Sequence, residues 1–286
     1  MIDIGIACTL GCEQALYFCL ITMLTQADHP EQLDIWIGID THTVSDPMPR
    51  LMMIRELSPR IQIELIKTGY PHSSLSHGMV LDVLLHQFTH SIGMVCDADI
   101  AFIHRGWDTL FLSKFTDQIR TVGITSPHLH HVKKQPSATC IMFDVDIAKS
   151  TRLSFIPEGT TQPVPPHILP ATPEQSLVYG VPIDHPLVID TGSELCRKFG
   201  ANYQFPVTTQ TQAKLSWYEY HLPNTDQLIL CHLGASTKNL IKFSDRSRTS
   251  FTITYKPSKE ILIWMKLMCD RIGGLHQHID RLINIT

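Results

Sequence analysis

The stretch Gly93-Met-Val-Cys-Asp-Ala-Asp-Ile-Ala-Phe102 decides how this chain is read. A short apolar run ends in two carboxylates, Asp97 and Asp99, one residue apart, and then turns apolar again. Ile92 to Cys96 is brief, uncharged and bounded by polar sequence, which predicts a buried strand. Side chains two apart at the end of a strand point to the same face. Asp97 and Asp99 could therefore converge on one hard cation, with water and a substrate phosphate completing its shell. The plainer reading is a pair of acids capping a strand at a turn.

Upstream, Ile4 to Cys8 reads as a strand, Glu13 to Gln26 as a helix, and Leu33 to Ile39 as a strand ending at Asp40. Pro49 to Leu57 reads as a helix, Ile61 to Lys67 as a strand and Ser76 to Gln87 as a helix. Strand–helix alternation predicts an α/β fold with a mostly parallel central sheet flanked by helices. Ligands of such sheets bind beyond the carboxyl ends of the strands. Cys8-Thr9, Asp40-Thr41, Thr68-Gly69 and Asp97 to Asp99 should then share one edge.

Downstream the pattern is less regular. Val122 to Ser126 and Ala138 to Phe143 read as strands, separated by a polar loop with His128, His130 and His131. Pro157 to Pro173 is proline-rich with little periodicity, the signature of a lid or a disordered segment. Glu174 to Tyr179 and Ser193 to Phe199 are short helix candidates, and Leu228 to Cys231 is a strand leading into His232. After Ser258, Ile261, Trp264, Met265 and Met268 form a helical stripe, and Gly273-Gly274 breaks it before a second helical segment. Such a stripe belongs to the core or to an oligomer contact, so a homo-oligomer through the tail stays open.

A chain of 286 residues can bury a full core. Its net charge of −4, without a lysine and arginine run, provides no electrostatic footprint for nucleic acid. The eight cysteines sit mostly among apolar residues and include no Cys-x-x-Cys pair. They read as reduced core residues of a protein in a reducing compartment, here expected to be the cytoplasm. The amino terminus lacks a signal-peptide pattern, and no apolar run reaches the ~20 residues that span a bilayer.

Val95-Cys-Asp-Ala-Asp99 resembles the Asp-x-Asp motif of nucleotide-sugar glycosyltransferases with the GT-A (Rossmann-like) fold. Ser76-His-Gly-Met-Val-Leu-Asp-Val-Leu84 resembles a helix that begins with His-Gly just before the metal strand in family-2-like members. Val188-Ile-Asp-Thr-Gly-Ser-Glu-Leu195 resembles their Asp-x-Gly segment, and Cys231-His-Leu-Gly-Ala-Ser236 the carboxyl-terminal His-x-Gly segment that supplies a third metal ligand. The resemblance implies a glycosyltransferase domain over 1–242, with a nucleotide-binding half over 1–104 and an acceptor half over 105–242. Residues 243–286 would be a helical extension packed on the same domain.

It further implies a nucleoside-diphosphate sugar donor, a UDP-sugar foremost, a glycan or other hydroxyl acceptor, and Mn2+ or Mg2+. Asp99 would ligate the ion directly, and Asp97 the ion, its water or the ribose. His232 would complete the shell, or else be a strand-end histidine bonded to backbone. His77 and Gly78 would open a helix whose free N–H groups and dipole attract phosphate, with Ser76 as N-cap; an ordinary cap is the alternative. Asp40 would lie near the base or ribose, or be an exposed turn acid. Thr9 would contact the nucleotide through backbone, and Lys238 the diphosphate. Asp190 would deprotonate the acceptor hydroxyl, or merely cap the next helix. The chain has no Glu-Asp pair like the one usual at the family's base position, so the stereochemical outcome stays open.

Other features read as ordinary. Asp144-Val-Asp146 looks like a helix cap, the histidine loop like a solvated segment, and His276 and His278 face different directions. Two alternatives remain: a non-catalytic carbohydrate- or nucleotide-binding protein on the same scaffold, and a phosphotransferase with Asp97 as nucleophile. The latter would normally carry its Asp-x-Asp on the first strand.

Overall fold

The computed structural model describes residues 1–41, 48–69, 74–125, 136–157, 167–170, 173, 186–189, 191–192, 194–199, 203–204, 208–211, 217–233, 241–242, 252–253 and 259–283. Asp190, Lys238, the histidine loop and the helix expected over 174–179 lie outside them.

The first hundred residues alternate as expected: β1 (Ile2–Thr9), α1 (Glu13–Gln26), β2 (Leu33–Asp40), α2 (Met48–Arg55), β3 (Ile61–Ile66), α3 (Ser74–Gln87) and β4 (Ile92–Asp97). β1 lies between β2 and β4, parallel to both, and β3 extends the sheet parallel to β2. All their carboxyl ends therefore fall on one edge. There follow β5 (Ile100–Phe102), α4 (Trp107–Leu112), β6 (Thr121–Thr125), β7 (Pro136–Asp144) and α5 (Val145–Ser150). β7 runs antiparallel to β4 and β6.

The later elements are shorter: β8 (His167–Pro170), β9 (Pro186–Ile189), α6 (Glu194–Phe199), β10 (Tyr203–Gln204), β11 (Thr208–Thr211), β12 (Tyr218–His221) and β13 (Leu228–His232). β14 (Ile241–Lys242), β15 (Thr252–Ile253), α7 (Lys259–Ile272) and α8 (His276–Ile283) end the described chain. The main sheet has the order β10-β6-β7-β4-β1-β2-β3, and a second, antiparallel sheet has the order β11-β12-β13-β5.

The central strands are apolar on both faces because both are covered. On β4, Met94 and Cys96 face one core layer and Val95 the other, as in parallel sheets sandwiched by helices. A Cβ at Gly38 of β2 would run into Val80 of α3, so glycine there sets how closely that helix approaches. On the other face α1 is covered by the carboxyl-terminal helices, with the Phe18 ring edge-on to Trp264 at 5.5 Å. Ile261, Trp264, Met265 and Met268 are all buried in the same core as α1. The tail's apolar stripe thus faces this chain's own interior. Each such side chain contributes roughly 1.5–3 kcal/mol of burial.

Two expectations are corrected. α3 begins at Ser74, so Ser76 lies inside its first turn and is not the N-cap. The reason is that Leu75 is itself buried and extends the apolar stripe backwards. The proline-rich stretch is not wholly irregular either, since β8 pairs antiparallel with β9. Its proline stands at the strand's end, where a missing N–H is tolerated. Among the described residues no helix is long and apolar enough to cross a membrane.

Candidate functional site

At Asp97 the chain leaves the main sheet, turns through Ala98-Asp99, and enters the second sheet as β5. β13 pairs antiparallel with β5, setting His232 opposite Ile100, and the Leu233 N–H donates to the Asp99 carbonyl at 3.0 Å. This ladder brings the imidazole to the carboxylates. His232 Nε2 lies 3.1 Å from Asp99 Oδ1 and 3.4 Å from Asp97 Oδ2. One ligand atom from each of Asp97, Asp99 and His232 falls within 4.8 Å of the others.

Two carboxylates this close repel one another unless positive charge lies between them. Burial disfavours a proton on His232, but Asp99 and then Asp97 outweigh it and hold the imidazole above its ordinary pKa. Its Nδ1 is buried without a hydrogen-bond partner among the described residues. The donor set, hard oxygens plus one imidazole nitrogen, fits a divalent cation of the manganese type, and magnesium less well. Tyr218, opposite His232 in the β12–β13 ladder, sets its ring 6.1 Å from the imidazole.

The neighbouring strand ends are ordered by their own hydrogen bonds. Thr9 lies opposite Asp40 in the β1–β2 ladder, and its carbonyl accepts the Cys12 N–H at 3.0 Å across a turn in which Gly11 has φ 95°. Asp40 is not an exposed turn acid. It is buried, and both its carboxylate oxygens lie 3.0 Å from the donating Thr68 hydroxyl. That bond ties the end of β2 to the segment following β3.

α3 brings a second imidazole. His77 Nε2 lies 3.5 Å from Asp97 Oδ1. Gly78 is the fifth residue of the helix, past the free N–H groups of its first turn. Its role in the packing is plain: a Cβ there would lie 2.6 Å from the Phe155 carbonyl oxygen. The Thr191 hydroxyl donates to the Ser74 carbonyl at 3.2 Å, and the Gly192 N–H to Phe155 at 3.1 Å. The residues after Asp190 are therefore held against the start of α3.

The structure thus brings together Asp97, Asp99, His232 and the ring of His77, with Thr9 and Asp40 on adjacent strand ends. Tyr218 was missed from sequence, and His77 was named there for its place at the start of the helix and not for a contact of its ring with Asp97.

α7 braces this arrangement. Arg271 Nη2 pairs with Glu219 Oε1 at 2.6 Å, and its Nη1 lies 3.7 Å from Cys231 Sγ, so it grips both strands that present Tyr218 and His232. The seven described cysteines are free thiols. Burial pushes the Cys231 thiol up to about 12, which suits a packing role. Asp144 caps α5 by accepting the Ile147 N–H at 2.9 Å. His276 meets Asp270 at 2.9 Å, while His278 packs near the Tyr17 ring.

A second group, Asp3, Asp34 and His90, also has ligand atoms within 4.8 Å of one another. It lies at the opposite edge of the sheet. Asp3 Oδ2 accepts the Thr89 and His90 N–H groups at 2.6 Å each, and Oδ1 accepts Trp36 Nε1 at 3.0 Å. Asp34 meets Arg60 at 2.6 Å and His90 at 2.7 Å.

No family model matches the sequence, and a search of curated proteins finds no match. Among solved structures the chain is similar to the mannosyltransferase PcManGT from Pyrobaculum calidifontis in complex with GDP-Man and Mn2+, at 13% identity and TM-score 0.43, over 54% of this chain and 47% of that one. It is similar to S. aureus TarS 1-349 in complex with UDP, at 12% identity and TM-score 0.41, over 54% of this chain and 49% of that one. It is also similar to the glycosyltransferase GlyE in Streptococcus pneumoniae TIGR4, at 12% identity and TM-score 0.38, over 53% of this chain and 36% of that one. The chain therefore spans about half or less of the length of each.

Proposed function

We propose that this protein is a metal-dependent glycosyltransferase of the GT-A type, moving a sugar from a nucleoside-diphosphate sugar to a hydroxyl of a glycan or similar acceptor. The observation that carries the reading is the convergence of Asp97, Asp99 and His232 at the carboxyl edge of a parallel sheet, where α/β proteins bind their ligands. Those three residues would hold Mn2+ or Mg2+. A divalent ion bound there supplies positive charge against the diphosphate that departs.

The chain's own residues do the rest. Thr9, through its backbone, and Asp40 would flank the nucleoside, with UDP the first choice of nucleotide. The first turn of α3, which carries His77 and is packed close through Gly78, would meet the diphosphate with its N–H groups and dipole. Lys238 is assigned to the same group. Asp190 would take the proton from the acceptor hydroxyl as its oxygen bonds to the sugar C1, while the C1–phosphate bond breaks and its electrons leave with the diphosphate. The free thiols support a reducing compartment such as the cytoplasm.

A thermal-shift screen with UDP-, GDP-, CDP- and dTDP-sugars, with and without Mn2+, should raise the melting temperature for one donor class by mass action. Mn2+-dependent hydrolysis or transfer of that donor should follow. Donor binding without turnover on any acceptor would favour a non-catalytic sugar-binding protein.

A further inference from the structure

Resting on that reading of the site, we propose that the His77 ring is a positioning residue that turns Asp97 so that it offers a single oxygen, Oδ2, to the cation. The two oxygens of Asp97 face different imidazoles. Oδ1 lies 3.5 Å from His77 Nε2, and Oδ2 lies 3.4 Å from His232 Nε2. His232 Nε2 is also 3.1 Å from Asp99 Oδ1. The oxygen on the cation's side is therefore Oδ2, and the oxygen turned away from it belongs to His77.

His77 is suited to hold a carboxylate in place. Its Nε2 is buried and makes no hydrogen bond among the described residues, so no competing acceptor claims it. The helix carrying it is itself fixed. The backbone at Phe155 and Ile156 packs on Gly78 so closely that a Cβ would lie 2.6–2.8 Å from three of its atoms. One turn further on, Asp82 accepts the Phe155 N–H and the Ser154 hydroxyl at 2.6 Å each. A ring on this stapled first turn has a set position relative to β4. Without it, Asp97 is free to rotate away or to chelate through both oxygens, and an outer partner of this kind is typically worth tenfold or more in metal affinity.

The test is Mn2+ titration of the full chain, followed by electron paramagnetic resonance, with thermal unfolding as the control for folding. His77→Ala should weaken Mn2+ binding about tenfold. His77→Gln, which keeps a side-chain N–H donor but is a poor ligand for the ion, should stay within about threefold of wild type on the same scale. Pulsed resonance should show nitrogen coupling from one imidazole, retained in His77→Gln and lost in His232→Ala. Wild-type affinity in His77→Ala would overturn the proposal. So would a second imidazole coupling that vanishes in His77→Gln, which would make His77 a ligand. If the wild type binds no Mn2+, or Asp99→Ala binds it equally well, the reading of the site itself fails, a result distinct from either.

Discussion

The two edges of the parallel sheet carry almost the same inventory and use it differently. Each has two aspartates and a histidine with ligand atoms within 4.8 Å. At the amino edge, Asp3 is fully buried and accepts three N–H groups, and Asp34 is matched by the Arg60 guanidinium and His90. At the carboxyl edge, Asp97 and Asp99 face imidazoles, at 3.1–3.5 Å. The difference teaches that residue types do not make a metal centre. A carboxylate saturated by amides and a guanidinium is a clasp between strands. Carboxylates that converge with an imidazole at a strand end offer a cation a mixed oxygen and nitrogen donor set.

The comparison breaks first at Asp99. Asp99→Ala should lower Mn2+-dependent transfer about a thousandfold or more, with the melting temperature little changed; unchanged turnover would remove the carboxyl edge from the chemistry. Asp3→Ala should do the opposite. Removing the buried carboxylate that three part-buried N–H donors share should cost about 2–3 kcal/mol in urea unfolding, while Mn2+ affinity stays at the wild-type value. Metal binding that failed in Asp3→Ala would erase the distinction between the edges.

Two smaller effects sharpen the contrast. His232→Ala should weaken Mn2+ binding by about tenfold or more in a calorimetric titration, and an unaltered isotherm would show that His232 is not a ligand. Asp34 offers a pH signature at the amino edge. Burial raises its pKa, but hydrogen bonds from His90 and Arg60 outweigh this and leave it lowered. A group lowered on folding stabilises the protein above its unfolded pKa of about 3.9 and loses that contribution as pH falls through the folded value. Asp34→Asn should therefore flatten the acid limb of the stability curve by less than about 1 kcal/mol. An acid limb identical to wild type would show the pairing to be idle.

Much of the fold's first half was legible because β1 to β4 are short apolar runs separated by helical spacing, a pattern local to each segment. The shared edge of Thr9, Asp40 and Asp97 followed from that alternation alone. β5 was not legible, since Ile100–Phe102 is too short to show a period and its partner β13 lies far along the chain. His232 came from the resemblance to a His-x-Gly segment, not from any spacing. The His77 ring escaped because its approach to Asp97 depends on how α3 packs against β4, a tertiary relation that no local spacing encodes. Asp40 and Thr68 were both placed on the right edge, but the bonds between them depend on β3 lying next to β2, a pairing not legible in the sequence.

The β5–β13 ladder also sets a schedule for the molecule's birth. A nascent chain that has emerged only through Phe102 already owns both acids of the centre, yet it lacks the imidazole that joins them. On the proposed reading, the complete ligand set would exist only once a distant hairpin has folded back against a strand of three residues, so full affinity for the ion would come late, with the closing of the second sheet.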